Sequence, residues 1–240
     1  MTNHDAIMTR KSRRKFVSQP LSAEEKEVLL SAIKQGNKAG SLSMQLVENK
    51  PELFGGFFRS YGLFVGVEHF IVMAGPKKDI HLAEKLGYYG EKVLLEAVKL
   101  GLGTCWVGGS FNKQGVNSLV SVDDLLIAVI VIGEPVNKYT AREQLIRSIT
   151  HLKKEQQSKF FQTDGSEPSW FMQAIDYVYR APSAVNQQPV WVNVASGKIT
   201  ARLRNINHFA WVDLGIAKAH FEYAAPSGRF EWGNNAFFHQ

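Results

Sequence analysis

The sequence predicts an α+β fold built as two related halves, and three observations carry that prediction. Short apolar runs bounded by turn residues alternate with amphipathic helical stretches, as at 69–74 followed by 82–100. At an offset of 142, Ala32-Ile33 falls on Ala174-Ile175, and Ala39-Gly40-Ser41 falls on Ala181-Pro182-Ser183. A polar stretch at 151–157 divides residues 1–150 from a shorter second half, 151–240. With 240 residues, 45% of them hydrophobic, the chain can bury a sizeable core, and the two halves are expected to pack as one compact unit.

The elements follow in order. Asn3 can cap a short helix over 4–10, which delivers a basic cluster at its end. Ser22 and Glu25 form a capping box before Val28, Leu29, Leu30, Ala32 and Ile33, so a helix should run to about Gly36. The stretch 36–62 reads as loop with room for one short helix. HFIVMA at 69–74, stopped by Gly75-Pro76, is a buried strand. Leu86, Tyr89, Val93, Leu94, Ala97 and Val98 recur at helical spacing, and Gly101 ends that helix. Strands are expected at 104–107 and 125–132, the second buried on both faces, and a helix at 142–149. Beyond the polar stretch come a helix at 170–179, strands at 190–195 and 199–203, a helix at 213–225 and a strand at 229–232. Gly90 pairs with Gly215 in the repeat, and the Gly pair after Trp106 pairs with Gly233 after Trp232.

Composition removes several classes of function. The longest purely apolar run, 125–132, is far short of the ~18 residues that a spanning helix needs, so no membrane role is expected. Residues 1–16 are polar and basic without an apolar core segment, and Cys105 stands alone, so a reducing cytoplasm is the expected setting. The seven histidines show no ligand spacing, and neither HExxH nor CxxC occurs, so no metal is expected. GLGTCW at 101–106 lacks the third glycine of a dinucleotide fingerprint and follows a helix rather than a strand. Walker A and GxSxG sequences are absent, and Cys105 reads as a core thiol beside Trp106 rather than a nucleophile.

Two motifs remain. Net charge is +6, and five of the six residues from Arg10 to Lys15 are basic. Arg10, Lys11, Ser12 and Arg14 suit a dianionic phosphate, because two guanidinium forks and a hydroxyl can converge on its oxygens. The same cluster equally suits a solvated basic face or a nonspecific nucleic-acid patch, although no nucleic-acid reading motif accompanies it. The second motif, APSAVNQQPV at 181–190, offers backbone and amide groups to a planar heterocycle; as an isolated segment it also reads as an ordinary capped connection.

Taken together, RKSRRKF (10–16), GLGTCWVGG (101–109), IGEP (132–135) and APSAVNQQP (181–189) resemble the signatures of the flavin-dependent nitroreductase family. The likeness is closest to the sub-group in which two nitroreductase halves are fused in tandem. It implies a nitroreductase-like fold, internally duplicated so that two fused halves mimic the family homodimer. It also implies an FMN-dependent oxidoreductase that takes a hydride from NADH or NADPH through flavin N5 and reduces a small electron-poor acceptor such as a nitroaromatic or quinone. By that resemblance Arg10, Lys11, Ser12 and Arg14 hold the phosphate, Gly108 and Gly109 face the ring near N5, and Pro182, Ser183 and Asn186 supply the opposing loop. Arg142 is the candidate to complete the phosphate site. Val190 stands where the family has Trp, with Trp191 next to it. The alternative is a non-catalytic flavin- or small-ligand-binding protein on the same scaffold.

The motifs are divided between the halves. Half one carries the phosphate set and Gly108-Gly109, but Ala39-Gly40-Ser41 and Met44 stand in place of its loop. Half two keeps Pro182, Ser183 and Asn186, but Leu152, Lys154 and Gln156 stand in place of its phosphate segment. One FMN per chain is therefore expected, with a monomer of pseudo-dimeric halves as the functional unit.

Overall fold

The computed structural model describes residues 1–54, 63–136 and 157–240, together with Gln144. The expected helix at 142–149, Arg142, most of the polar stretch, and Leu152, Lys154 and Gln156 lie outside the described residues.

In the first half, α1 (Asn3–Thr9) is capped by Thr2 rather than Asn3. Thr2 stands three residues before Asp5, so hydroxyl and carboxylate can satisfy each other's backbone N–H groups, at 3.1 and 3.0 Å. Ser22 and Glu25 do the same for α2 (Ala23–Gly40). That helix runs four residues past Gly36, so Ala39-Gly40 is helical rather than loop. It stops at Ser41, whose φ of 54° turns the chain out of the helix. β1 (Gln45–Val47) and a 3₁₀ turn (Pro51–Leu53) occupy part of the expected loop. Then come β2 (His69–Pro76), α3 (Leu82–Lys99), β3 (Gly103–Val107), α4 (Lys113–Asn117) and β4 (Asp124–Gly133). β4 is buried only from Ala128 onward, and Leu125 is exposed, so it is not covered on both faces throughout.

The second half contains β5 (Phe161–Thr163), α5 (Phe171–Arg180), β6 (Val190–Ala195), β7 (Lys198–Leu203), α6 (Ala210–Glu222), β8 (Arg229–Phe230) and β9 (Ala236–His239). α6 begins and ends three residues before the expected span. β8 ends at Phe230 rather than Trp232, and β9 supplies a closing strand that the sequence reading does not contain. Ser196 and Gly197, both with positive φ, make the two-residue turn of the β6–β7 hairpin.

The sheets repeat one plan. The first has strand order β1-β2-β4-β3 and the second β6-β7-β9-β8, all neighbours antiparallel, with β5 added parallel to β6 at one edge. Each is preceded by a helix, α2 or α5, and interrupted by a second one, α3 or α6. One core packs α2 and α3 on the first sheet, a second packs Phe54, Phe70 and Phe111 beneath that sheet, and a third packs α5 and α6 on the second sheet.

α3 and α6 join the halves. Eleven of the thirteen α6 residues are buried, including Asp213, Lys218 and His220, so this helix is the centre of the molecule rather than a surface element. Its contact with α3 is reciprocal. A side chain at Gly87 would overlap the Val212 carbonyl, and one at Gly215 would overlap the Glu84 carbonyl. Gly87 and Gly215 are 128 positions apart, as are Glu84 and Val212, which marks a twofold-like crossing. The glycine equivalent to Gly215 is therefore Gly87, one helical turn before Gly90. Gly90 instead leaves room for Met73 and Trp106.

Candidate functional site

At the junction of the halves lies a cavity of about 480 Å³, within the range of small-molecule and cofactor sites. All nine residues singled out from the sequence line it: Arg10, Lys11, Ser12 and Arg14; Gly108 and Gly109; and Pro182, Ser183 and Asn186. No two of these three groups are neighbours in sequence, and the third comes from the other half.

The basic wall is set by α1 and β3. α1 ends at Arg10, whose ψ of 133° sends the chain out in an extended path. That path runs beside β3, with Ser12 bridged to Thr104 and the Arg13 N–H donating to the Thr104 carbonyl at 2.8 Å. Side chains alternate along an extended segment, so Ser12 and Arg14 share the cavity side. Arg13 points elsewhere, against Gly103, and its guanidinium donates to the Val136 carbonyl.

Arg10 is the most telling of the four. Its side chain is only 9% exposed, yet Nε and Nη1 have no hydrogen-bond acceptor. The carboxylate of the fully buried Glu91 lies 4.0 Å from Nε, which is charge compensation without a hydrogen bond. Glu91 accepts from Trp106 Nε1 at 2.8 Å and faces His220 Nε2 at 2.9 Å. Burial alone would raise the Glu91 carboxyl; His220, then Arg10 and Trp106, outweigh it and hold the group below the usual carboxylate range.

The opposing wall is the loop after α5. Val185, Asn186 and Gln188 all have positive φ, and for the β-branched Val185 that conformation costs about 1–2 kcal/mol. Three hydrogen-bonding groups brace it. Ser183 Oγ accepts from the Gln188 N–H at 2.8 Å, Gln188 Nε2 donates to the Tyr179 carbonyl at 2.6 Å, and the Asp213 carboxylate accepts the Ala184 N–H at 3.0 and 3.2 Å. Asp213 also lines the cavity. Burial pushes its carboxyl up to about 7, against the smaller opposing effect of the Ala184 hydrogen bond.

Gly108 turns the chain after β3 directly under the Phe209 ring, where any side chain would overlap. Cys105 is buried among core residues and also touches the cavity wall. Among the described residues, no group of three or more His, Cys, Asp or Glu could hold a metal ion, and no helix is long and apolar enough to cross a membrane.

The twofold-like crossing defines a second position of the same kind. There His81 stands for Phe209, Gly233 for Gly108, and Glu84, Lys85 and Tyr88 for Val212, Asp213 and Ile216. Among the described residues, that position holds packed aromatic rings. Trp232 packs edge-on against Tyr88 at 5.4 Å and lies 6.1 Å from Tyr89, while Lys85 approaches its ring at 5.9 Å. Glu84 accepts from Lys218 and, at 2.7 Å, from the Gly233 N–H, so the polar groups are satisfied within the chain.

The sequence reading did not identify Glu91, His220 or Asp213 as site residues. Asp213, a single carboxylate inside the apolar run AWVDLGIA, was the available signal. Glu91 and His220 meet across 129 positions and carry no local signature.

Residues 3–225 match the family described as Putative TM nitroreductase. A crystal structure of a putative nitroreductase from Thermotoga maritima is similar over 99% of this chain and 92% of its own, with 20% identity and a TM-score of 0.66. An FMN-dependent nitroreductase from Clostridium difficile is matched over 57% of this chain and 89% of its own, at 20% identity and a TM-score of 0.46. A putative nitroreductase in complex with FMN from Desulfovibrio desulfuricans is matched over 60% and 95%, at 18% and 0.46. No curated protein matches the chain.

Proposed function

The chain belongs to the Putative TM nitroreductase family, and on that premise we propose that it is an FMN-dependent oxidoreductase. Its electron donor in this reading is NADH or NADPH, and its acceptors are small and electron-poor, such as nitroaromatics or quinones. The observation that carries the reading is the buried Arg10 guanidinium, with two unaccepted nitrogens, on the wall of a cavity that all nine expected residues line.

The residues fit the group. Arg10 and Arg14, with Ser12 and Lys11, offer charged and neutral donors to a phosphate dianion. Gly109 leaves backbone uncovered where a flat ring needs close approach, Gly108 lines the cavity beneath the Phe209 ring, and the braced 183–186 loop closes the other side. Bound flavin would supply the redox chemistry itself, the passage of a hydride equivalent from donor to acceptor. The protein then has to bind, orient and exclude water, which agrees with the absence of a hydrolase-type motif. Phe209, Val212 and Ile216 give the cavity an apolar wall suited to planar ligands.

We take residues 1–150 and 151–240 as two halves of a duplicated unit that together form one site. The filled second position supports a stoichiometry of one FMN and a monomeric functional unit. The single buried thiol, Cys105, fits a reducing, cytoplasmic setting. Purified protein should show flavin absorbance and oxidise NADH or NADPH when a quinone or nitro compound is added. Flavin binding without turnover would identify a binding protein; absence of flavin binding would refute the reading.

A further inference from the structure

We infer that Glu91 is the positioning residue for Arg10 and, through it, sets how tightly the cavity holds the phosphate of its ligand. The inference rests on the flavin reading of the cavity and adds a residue that no motif contains. A guanidinium buried this far needs an anion close by, since an unpaired buried charge is strongly unfavourable. Glu91 provides that charge at 4.0 Å but takes none of Arg10's donors. Nε and Nη1 therefore keep no acceptor within the chain, in a side chain that lines the cavity.

Glu91 cannot swing over to close a direct pair, because both oxygens are held. Oε2 accepts from Trp106 Nε1 at 2.8 Å, and Oε1 faces His220 Nε2 at 2.9 Å. His220 is anchored in turn by the Tyr177 carbonyl, 3.0 Å from Nδ1. The anchor lies on α5 and α6, so the second half sets the geometry of a phosphate residue in the first.

The test is a double-mutant cycle on the full chain stripped of flavin, read by fluorescence titration with FMN and with riboflavin, which lacks the phosphate. Glu91→Gln keeps the volume and removes the charge. It should weaken FMN binding about tenfold and riboflavin binding less than about twofold. In an Arg10→Ala background the same change should shift FMN affinity less than about twofold, because its route to the phosphate is gone. His220→Gln, which frees the carboxylate, should reproduce the FMN-selective loss. Equal losses for both flavins, or a full loss that persists without Arg10, would overturn the inference. Should both variants fail to fold, a wild-type structure with FMN decides. Arg10 kept beside Glu91 and donating to a phosphate oxygen is expected; Arg10 turned away from Glu91 contradicts it. If wild-type protein binds neither flavin, the flavin reading itself fails; flavin binding without this coupling sinks only the role of Glu91.

Discussion

Removing the Arg10 guanidinium should separate FMN from riboflavin more sharply than any other single change at the basic wall. The side chain is 9% exposed, so its contact with a phosphate would be desolvated and little screened by salt. A charge-assisted hydrogen bond in such a place is worth about 1.5–3 kcal/mol, or about 10- to 160-fold in affinity. Arg10→Ala should weaken FMN by that factor, and adding Arg14→Ala should bring the total loss above about 100-fold. Riboflavin presents no phosphate, so its affinity should change by less than about threefold. The assay is quenching of flavin fluorescence at fixed ionic strength, titrating protein into each flavin. Parallel loss for the two ligands would refute the phosphate assignment, because it would mean that Arg10 supports the cavity wall rather than the phosphate.

Cys105→Ala should leave reductase turnover nearly intact and lower the unfolding temperature slightly, since the thiol packs as a small apolar group; lost turnover at unchanged flavin content would make the thiol catalytic. Asp213→Asn should remove a pH dependence of stability. The Asp213 carboxyl is pushed up to about 7 in the folded chain, so the native state holds the proton that the unfolded chain releases. Wild-type stability then falls with rising pH between the ordinary aspartate value of 3.8 and about 7, by up to about 1.4 kcal/mol per unit relative to the variant. Urea midpoints at pH 5 and pH 8 that move alike in both proteins would contradict this. Gly215→Ala should cost more than about 3 kcal/mol, because the added carbon meets the Glu84 backbone rather than a flexible side chain. An unfolding midpoint close to wild type would show that the α3–α6 crossing can open.

Much of the molecule is legible locally. The Ser22/Glu25 box, the apolar run of β2 and the helical spacing of α3 each follow from neighbours in sequence, and the structure contains all three. So do the three site segments, because each is a contiguous motif. What escaped depends on partners far along the chain. Gly87 and Gly90 lie three apart on one helix, and only the approach of α6 decides which one the crossing needs. β9 is four residues after a Gly-Asn-Asn turn, too short to stand out without the β7 edge on which it pairs. Thr2 displaced Asn3 as the cap because the capping box counts three residues to Asp5, a local rule applied one position too late. Glu91 reads as one more helical acid until His220 and Trp106 are brought to it.

The central claim is one complete site per chain, made by both halves, with its twofold-related position filled by Trp232, Tyr88 and Tyr89. Flavin released from a known amount of denatured protein, measured alongside mass in solution across a wide dilution range, tests it most directly. One FMN per 240-residue chain should be found, retained at concentrations where only monomer is present, because the tethered halves assemble the site without a partner. Two FMN per chain, or flavin lost as a dimer dissociates on dilution, would contradict it.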